Sequence, residues 1–161
     1  MGYNWRNTLT DFAAIAGILS GFCITFVVLI LSGAVADAEI YASGVTFGRV
    51  AVLLFGISTG LFICAAELFL HAKEFDIFSI PEPYREILKE DCKQKNKNWI
   101  DFENEQTEKC RCNEKLGRMC YNLAIFLCFA GLFFAIAPYN ILIAIIVSGL
   151  GIMLEAWQIF K

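Results

Sequence analysis

Apolar positions fall along this chain in four long runs, separated by polar stretches of unequal length. Phe12 to Leu31 carries no charge, and Val50 to Leu70 is interrupted only by Glu67. Met119 to Ala137 carries no charge, and Ile141 to Phe160 is interrupted only by Glu155. Each run approaches or reaches the roughly 20 residues a helix needs to cross a bilayer. The first exceeds the ~7–15-residue core of a signal peptide, and no small-x-small cleavage site leads into a soluble mature domain, so it reads as a retained span. The pattern predicts an all-α integral membrane protein: a four-transmembrane-helix bundle with a partly helical polar insert between helices 2 and 3. The expected organisation is an N-terminal transmembrane pair over 1–71 (spans about 12–33 and 50–70), a polar insert over 72–118, and a C-terminal hairpin over 119–161 (spans about 119–137 and 141–160). Pro138, Tyr139 and Asn140 leave room only for a tight antiparallel turn. The stretch from Asp37 to Arg49, with Gly44 and Gly48 in it and Gly33 just before it, reads as a loop.

Inside the insert, Ser79 and Glu82 are spaced as a capping box, with prolines at the first turn. Ile80, Tyr84, Ile87 and Leu88 then fall on one helical face, with Arg85, Glu86, Lys89 and Glu90 turned away from it. This face is expected to pack on the protein's own helix ends; the alternative is a membrane surface or a partner. The run from Glu105 to Arg118 suits a helical extension of the third span.

Composition agrees with the pattern. The chain is 58% apolar and only 18% charged, and its mean hydropathy is +0.60; a soluble domain of this size could not hide so much apolar surface. Fifteen Phe exclude a disordered chain. A net charge of −3 leaves no basic excess for a nucleic-acid partner. Charge is concentrated: 21 of the 29 charged residues lie in 72–118. Four spans would put both termini and this insert on one side with every Lys and Arg except Arg49. The positive-inside rule therefore places that side in the cytoplasm or an equivalent compartment, with a luminal or extracellular insert as the alternative.

Lipid supplies little hydrophobic drive between helices, so small residues mark close packing. Gly17 and Gly21 in the first span, Gly56 and Gly60 in the second, and Ser148 and Gly151 in the fourth are the helix-packing candidates. They are expected to hold the bundle together; docking against another subunit is the competing use. Two carboxylates continue these faces. Glu67 follows Gly56, Gly60 and Cys64 and precedes His71, while Glu155 follows Ala144, Ser148 and Gly151 and precedes Gln158. Both should therefore face other helices rather than lipid. An ionisable group inside a span costs roughly 2.5–3.5 kcal/mol at mid-bilayer, so its retention asks for a reason. Glu67, His71, Asn122, Glu155 and Gln158 form a candidate polar cluster for an ion or proton, with His71 able to hydrogen-bond Glu67. The plainer reading is that each Glu pairs with Lys73, Lys115, Arg118 or Lys161 near the interface.

No cofactor is expected from the residues. A single His excludes bis-His haem within one chain, and no HExxH, Walker loop or dinucleotide fingerprint occurs. Cys92, Cys110, Cys112 and Cys120 are enough thiols for a tetrahedral zinc site, though not spaced as CxxC knuckles. Free thiols are the expectation; zinc, or a disulfide from Cys92 to Cys110 or Cys112, are the alternatives. With no catalytic motif, the chain reads as a non-catalytic membrane subunit. Its expected partners are membrane lipids and either other membrane subunits or further copies of itself. A small oligomeric ion or proton channel or transporter using Glu67 and Glu155 is the alternative, and a membrane enzyme or electron-transfer subunit a weaker third.

Overall fold

The computed structural model describes residues 5–33, 45–95 and 97–159; the side chains of 5–8, 79, 154, 155 and 157–159 lie outside that description. The described residues form five α-helices and no strand: α1 (Trp5–Leu31), α2 (Phe47–Glu74), α3 (Glu82–Gln94), α4 (Trp99–Ile136) and α5 (Ile141–Ile159). A 3₁₀ turn, Ile77–Ser79, joins α2 to α3. α1, α2 and α4 are each long and apolar enough to cross a membrane. The described apolar stretch of α5, Ile141–Met153, is shorter.

Each boundary has a local cause. α1 stops where Gly33 takes φ 77° and its N–H returns to the Ile30 carbonyl, a left-handed position that glycine adopts without strain. α2 starts earlier than expected because the Thr46 hydroxyl accepts the Arg49 backbone N–H, satisfying one orphan donor of the first turn. Gly48 and Arg49, expected in a loop, therefore lie inside the helix. The expected Ser79–Glu82 capping box does not form: Pro81 is the N-cap of α3, without a side-chain bond, and Glu82 is its first residue rather than its third. Asp76 caps the 3₁₀ turn instead, accepting the Phe78 N–H at 3.2 Å. Asn98 caps α4 through the Ile100 N–H, and Asn140 caps α5 through the N–H groups of Leu142 and Ile143. No break separates insert from span in α4, which runs 38 residues. At ~1.5 Å per residue that is ~57 Å, well beyond the ~30 Å of a bilayer core. Its charged half carries the i,i+4 pairs Glu105–Lys109 and Glu114–Arg118.

The chain divides into two compact units. The first comprises Met1–Ile15 and Ala65–Met119. In it Phe69 of α2 lies against Gly117 of α4, where an added Cβ would stand 3.0 Å from the ring. Phe69 also stacks on Phe12 at 5.5 Å, and the Arg118 guanidinium stands 5.7 Å from the Phe12 ring. α3 packs through a different edge from the one expected. Cys92 is buried and Arg85 and Leu88 half-buried, while Tyr84 and Ile87 stay 63% and 61% exposed. Arg85 explains the shift: its guanidinium donates to the Ile77 and Phe78 carbonyls and lies 5.6 Å from the Phe78 ring, which turns that edge inward.

The second unit comprises Ala16–Cys64 and Cys120–Lys161. Here α2 and α4 run antiparallel, with Phe47 beside Phe134, Phe55 against Gly131 and Phe62 edge-on to Tyr121. The buried Ser58 hydroxyl donates to the Ala124 carbonyl. Phe26 of α1 stacks on Phe55 at 5.1 Å, and the Cys23 and Cys128 sulfurs are 3.8 Å apart. Gly151 of α5 lies beneath Phe129, with no room for a side chain. Along α2 the buried positions of this unit are Ala51, Phe55, Ser58 and Phe62, and those of the first unit are Ala65, Phe69 and Ala72, in alternating steps of four and three. That is the seam of coiled-coil-like packing, large side chains entering gaps opposite small ones.

Candidate functional site

The residues singled out on α2 share a face, and it is not the packed one. At about 100° per residue, Gly56, Gly60, Glu67 and His71 centre about 180° from the buried seam of the same helix. All four are exposed. A Cβ built on Gly56 or Gly60 meets none of the described residues within 4 Å, and the same holds for Gly17 and Gly21 on α1. The expectation that these four glycines hold the bundle together is therefore corrected. The physical reason is size: the seam of α2 is built from Phe, and a Phe needs its gap on the facing helix. Those gaps are Gly117 and Gly131 of α4. Ser148 and Gly151 do lie in the core, Ser148 at 5% exposure. The Ser148 hydroxyl finds no hydrogen-bond partner among the described residues.

Glu67 is likewise outward, so among the described residues the helices it was expected to face are not those of its own chain. Among the described residues it makes no ion pair or hydrogen bond. Two of the cations expected beside it are engaged elsewhere. Lys73 donates to the Thr10 hydroxyl at 2.9 Å, and Arg118 holds Glu114. His71 does not bond Glu67 either; its Nδ1 lies 2.9 Å from Glu74 Oε2, both side chains exposed. Asn122 is half-buried on α4. Glu155 and Gln158 lie on α5, but their side chains fall outside the described residues, and with them the expected pairing of Glu67 with Glu155.

All seven cysteines are free, with Cys92 and Cys110 buried and Cys112 exposed. Cys110 and Cys112 both stand on α4, and two positions apart on a helix differ by about 200°. They therefore face opposite sides and cannot grip one ion together. Among the described residues, no group of three or more His, Cys, Asp or Glu is placed to hold a metal. Burial pushes the Cys110 thiol above its ordinary pKa, and the charges of Asp76 and Glu114 add to the shift.

The outward face of α2 was legible as a stripe; its direction was not. The signal that would have given it is the seven-residue repeat Phe55, Phe62, Phe69, matched by Gly117, Ala124, Gly131 on the fourth helix. What the arrangement offers chemically is an unpartnered carboxylate beside a surface on which a second backbone could come close. The chain matches no protein family, no curated protein and no solved structure.

Proposed function

We propose that this chain is a non-catalytic, polytopic membrane subunit that packs through the outward small-residue face of α2 into a larger membrane complex or a homo-oligomer. In this reading α5 is a fourth span. Both termini and residues 72–118 lie on the cytoplasmic or equivalent side, following the excess of Lys and Arg there.

One observation carries the reading: an unpartnered Glu67 shares the open Gly56–Gly60 face, opposite the buried seam of α2. Towards lipid that face is unfavourable. It offers few atoms for dispersion contact and presents a carboxylate to hydrocarbon or its border. Towards another helix it is favourable, because glycine lets backbones approach and a donor on the neighbour can satisfy the carboxylate. The experiment is native mass spectrometry of the protein extracted into nanodiscs directly from its own membrane. A defined hetero-complex or homo-oligomer is the expected result; a bare monomer would end the reading.

A further inference from the structure

Two thiols meet inside the second unit. Cys23 of α1 and Cys128 of α4 lie within the apolar stretches of helices long enough to cross a membrane, and their sulfurs stand 3.8 Å apart. Cys23 is fully buried and Cys128 half-buried, so the pair opens outward on the Cys128 side. The pair is independent of the outward face of α2.

A disulfide between two helices asks for a close backbone approach, with Cα atoms no more than about 7 Å apart. The inward face of α1 is built for such an approach: its buried residues in this unit up to Cys23 are Ala16, Ser20 and Cys23 itself, all small. On α4, Ala124 lies one turn before Cys128; it is fully buried and its carbonyl accepts the Ser58 hydroxyl. Shortening 3.8 Å to the ~2.05 Å of a disulfide moves each sulfur by roughly 0.9 Å. A rotation of roughly 30° about each Cα–Cβ bond is of that size.

The surroundings select the oxidant. Thiol–disulfide exchange with a water-soluble thiol needs a thiolate, and hydrocarbon disfavours that charge. An acceptor that dissolves in the bilayer and takes electrons together with protons leaves no charge there. We propose that Cys23 and Cys128 form an oxidisable dithiol, closed to a disulfide within the bilayer by a lipid-soluble quinone. Two S–H bonds break and one S–S bond forms; the two electrons and two protons pass to the quinone, which leaves as the quinol. The bond ties α1 to α4 across 105 positions of sequence.

The full chain, one copy per nanodisc, is reduced, freed of reductant and exposed to tetramethyl-1,4-benzoquinone, whose substituted ring leaves no position for thiol addition. Free thiols are blocked with N-ethylmaleimide and disulfides are located by non-reducing peptide mass spectrometry. Most chains should carry the Cys23–Cys128 bond, with the exposed Cys112 still free. Ferricyanide, a charged oxidant confined to water, should form it at least about tenfold more slowly. Cys23→Ser and Cys128→Ser should each abolish it, circular dichroism confirming the helices in whichever variant is used. A crosslink over so long a loop restricts the unfolded chain, so oxidised wild type should unfold at a higher temperature than reduced wild type, and dithiothreitol should remove the difference. Absence of the bond with the quinone, a different cysteine pair as the main product, equal oxidation by ferricyanide, or an unchanged unfolding temperature would each overturn the assignment.

Discussion

Phe55 of α2 lies directly over Gly131 of α4, its ring carbons 3.1 to 3.3 Å from where a Cβ at position 131 would stand. That contact states the packing rule of the second unit: a large side chain on one helix is matched by a missing one on the next. Gly151 beneath Phe129 repeats it, with still less room.

Adding a side chain at these positions should therefore be costly. Gly131→Val and Gly151→Val are expected to destabilise the protein by about 1–3 kcal/mol, the usual range for overpacking. Gly56→Ala and Gly60→Ala meet none of the described residues within 4 Å, and alanine favours helix by up to ~1 kcal/mol over glycine. These two should leave the isolated chain as stable or slightly more so. Unfolding in micelles followed by circular dichroism separates the two classes.

Ser58 is fully buried and its hydroxyl donates to the Ala124 carbonyl across the α2–α4 contact. Hydrogen bonds between membrane helices average ~0.6 kcal/mol. Ser58→Ala should cost about that much in the same assay, and markedly less than Phe55→Ala, for which about 3–5 kcal/mol is expected.

How much of this was legible depends on which level is asked. The helices were readable because 20-residue apolar runs have few other uses, and the turn at Pro138 to Asn140 was forced by its length. Their ends were less so. α4 passes from polar to apolar residues without a break, because a helix satisfies its own backbone bonds in either solvent, so composition marks the border of the membrane and not the border of the element. The direction of each face was least legible. Gly56 and Gly60 look like a core because glycine permits close approach, but permission is not occupancy. The seam went to Phe55, Phe62 and Phe69, whose burial is worth more and whose gaps lie more than forty residues away in sequence. Arg85 shows the same limit: a charged residue expected on the outer face is drawn inward by two backbone carbonyls.

The thiols of α4 should differ in reactivity. Burial holds Cys110 above the usual thiol pKa, and Cys112 is exposed. The thiolate is the reacting species. Iodoacetamide near pH 8 should therefore modify Cys112 well before Cys110, and raising the pH should speed Cys110 over a higher range than an ordinary thiol. Peptide mass spectrometry over a time course measures both.

Glu105 is held below the ordinary carboxylate pKa by the Lys109 ammonium, first through their hydrogen bond and then through charge. A depressed carboxylate pKa means that the pair's contribution is present at neutral pH and is lost as pH falls through that lowered value. The group is fully exposed, so salt should screen the effect. In Lys109→Ala the Glu105 titration should move back up towards that of a free Glu, as read by carboxyl-carbon NMR.

Glu67→Gln removes the charge from the outward face of α2 without changing its shape. The chain itself offers Glu67 no partner among the described residues, so the stability of the separated chain should be unchanged within about 0.5 kcal/mol. Any loss should appear in assembly instead.

The central claim is that α2 uses its Gly56–Gly60 face for a neighbouring subunit and not for its own core. Native mass spectrometry of wild type and of the Gly56→Leu/Gly60→Leu double variant, extracted identically into nanodiscs, tests it most directly. The account predicts that wild type runs as a defined assembly and that the double variant runs as a folded single chain, because both positions are exposed on the face opposite the buried seam and a Cβ there meets none of the described residues. An assembly that survives both substitutions unchanged, or a wild type that is monomeric to begin with, would contradict it.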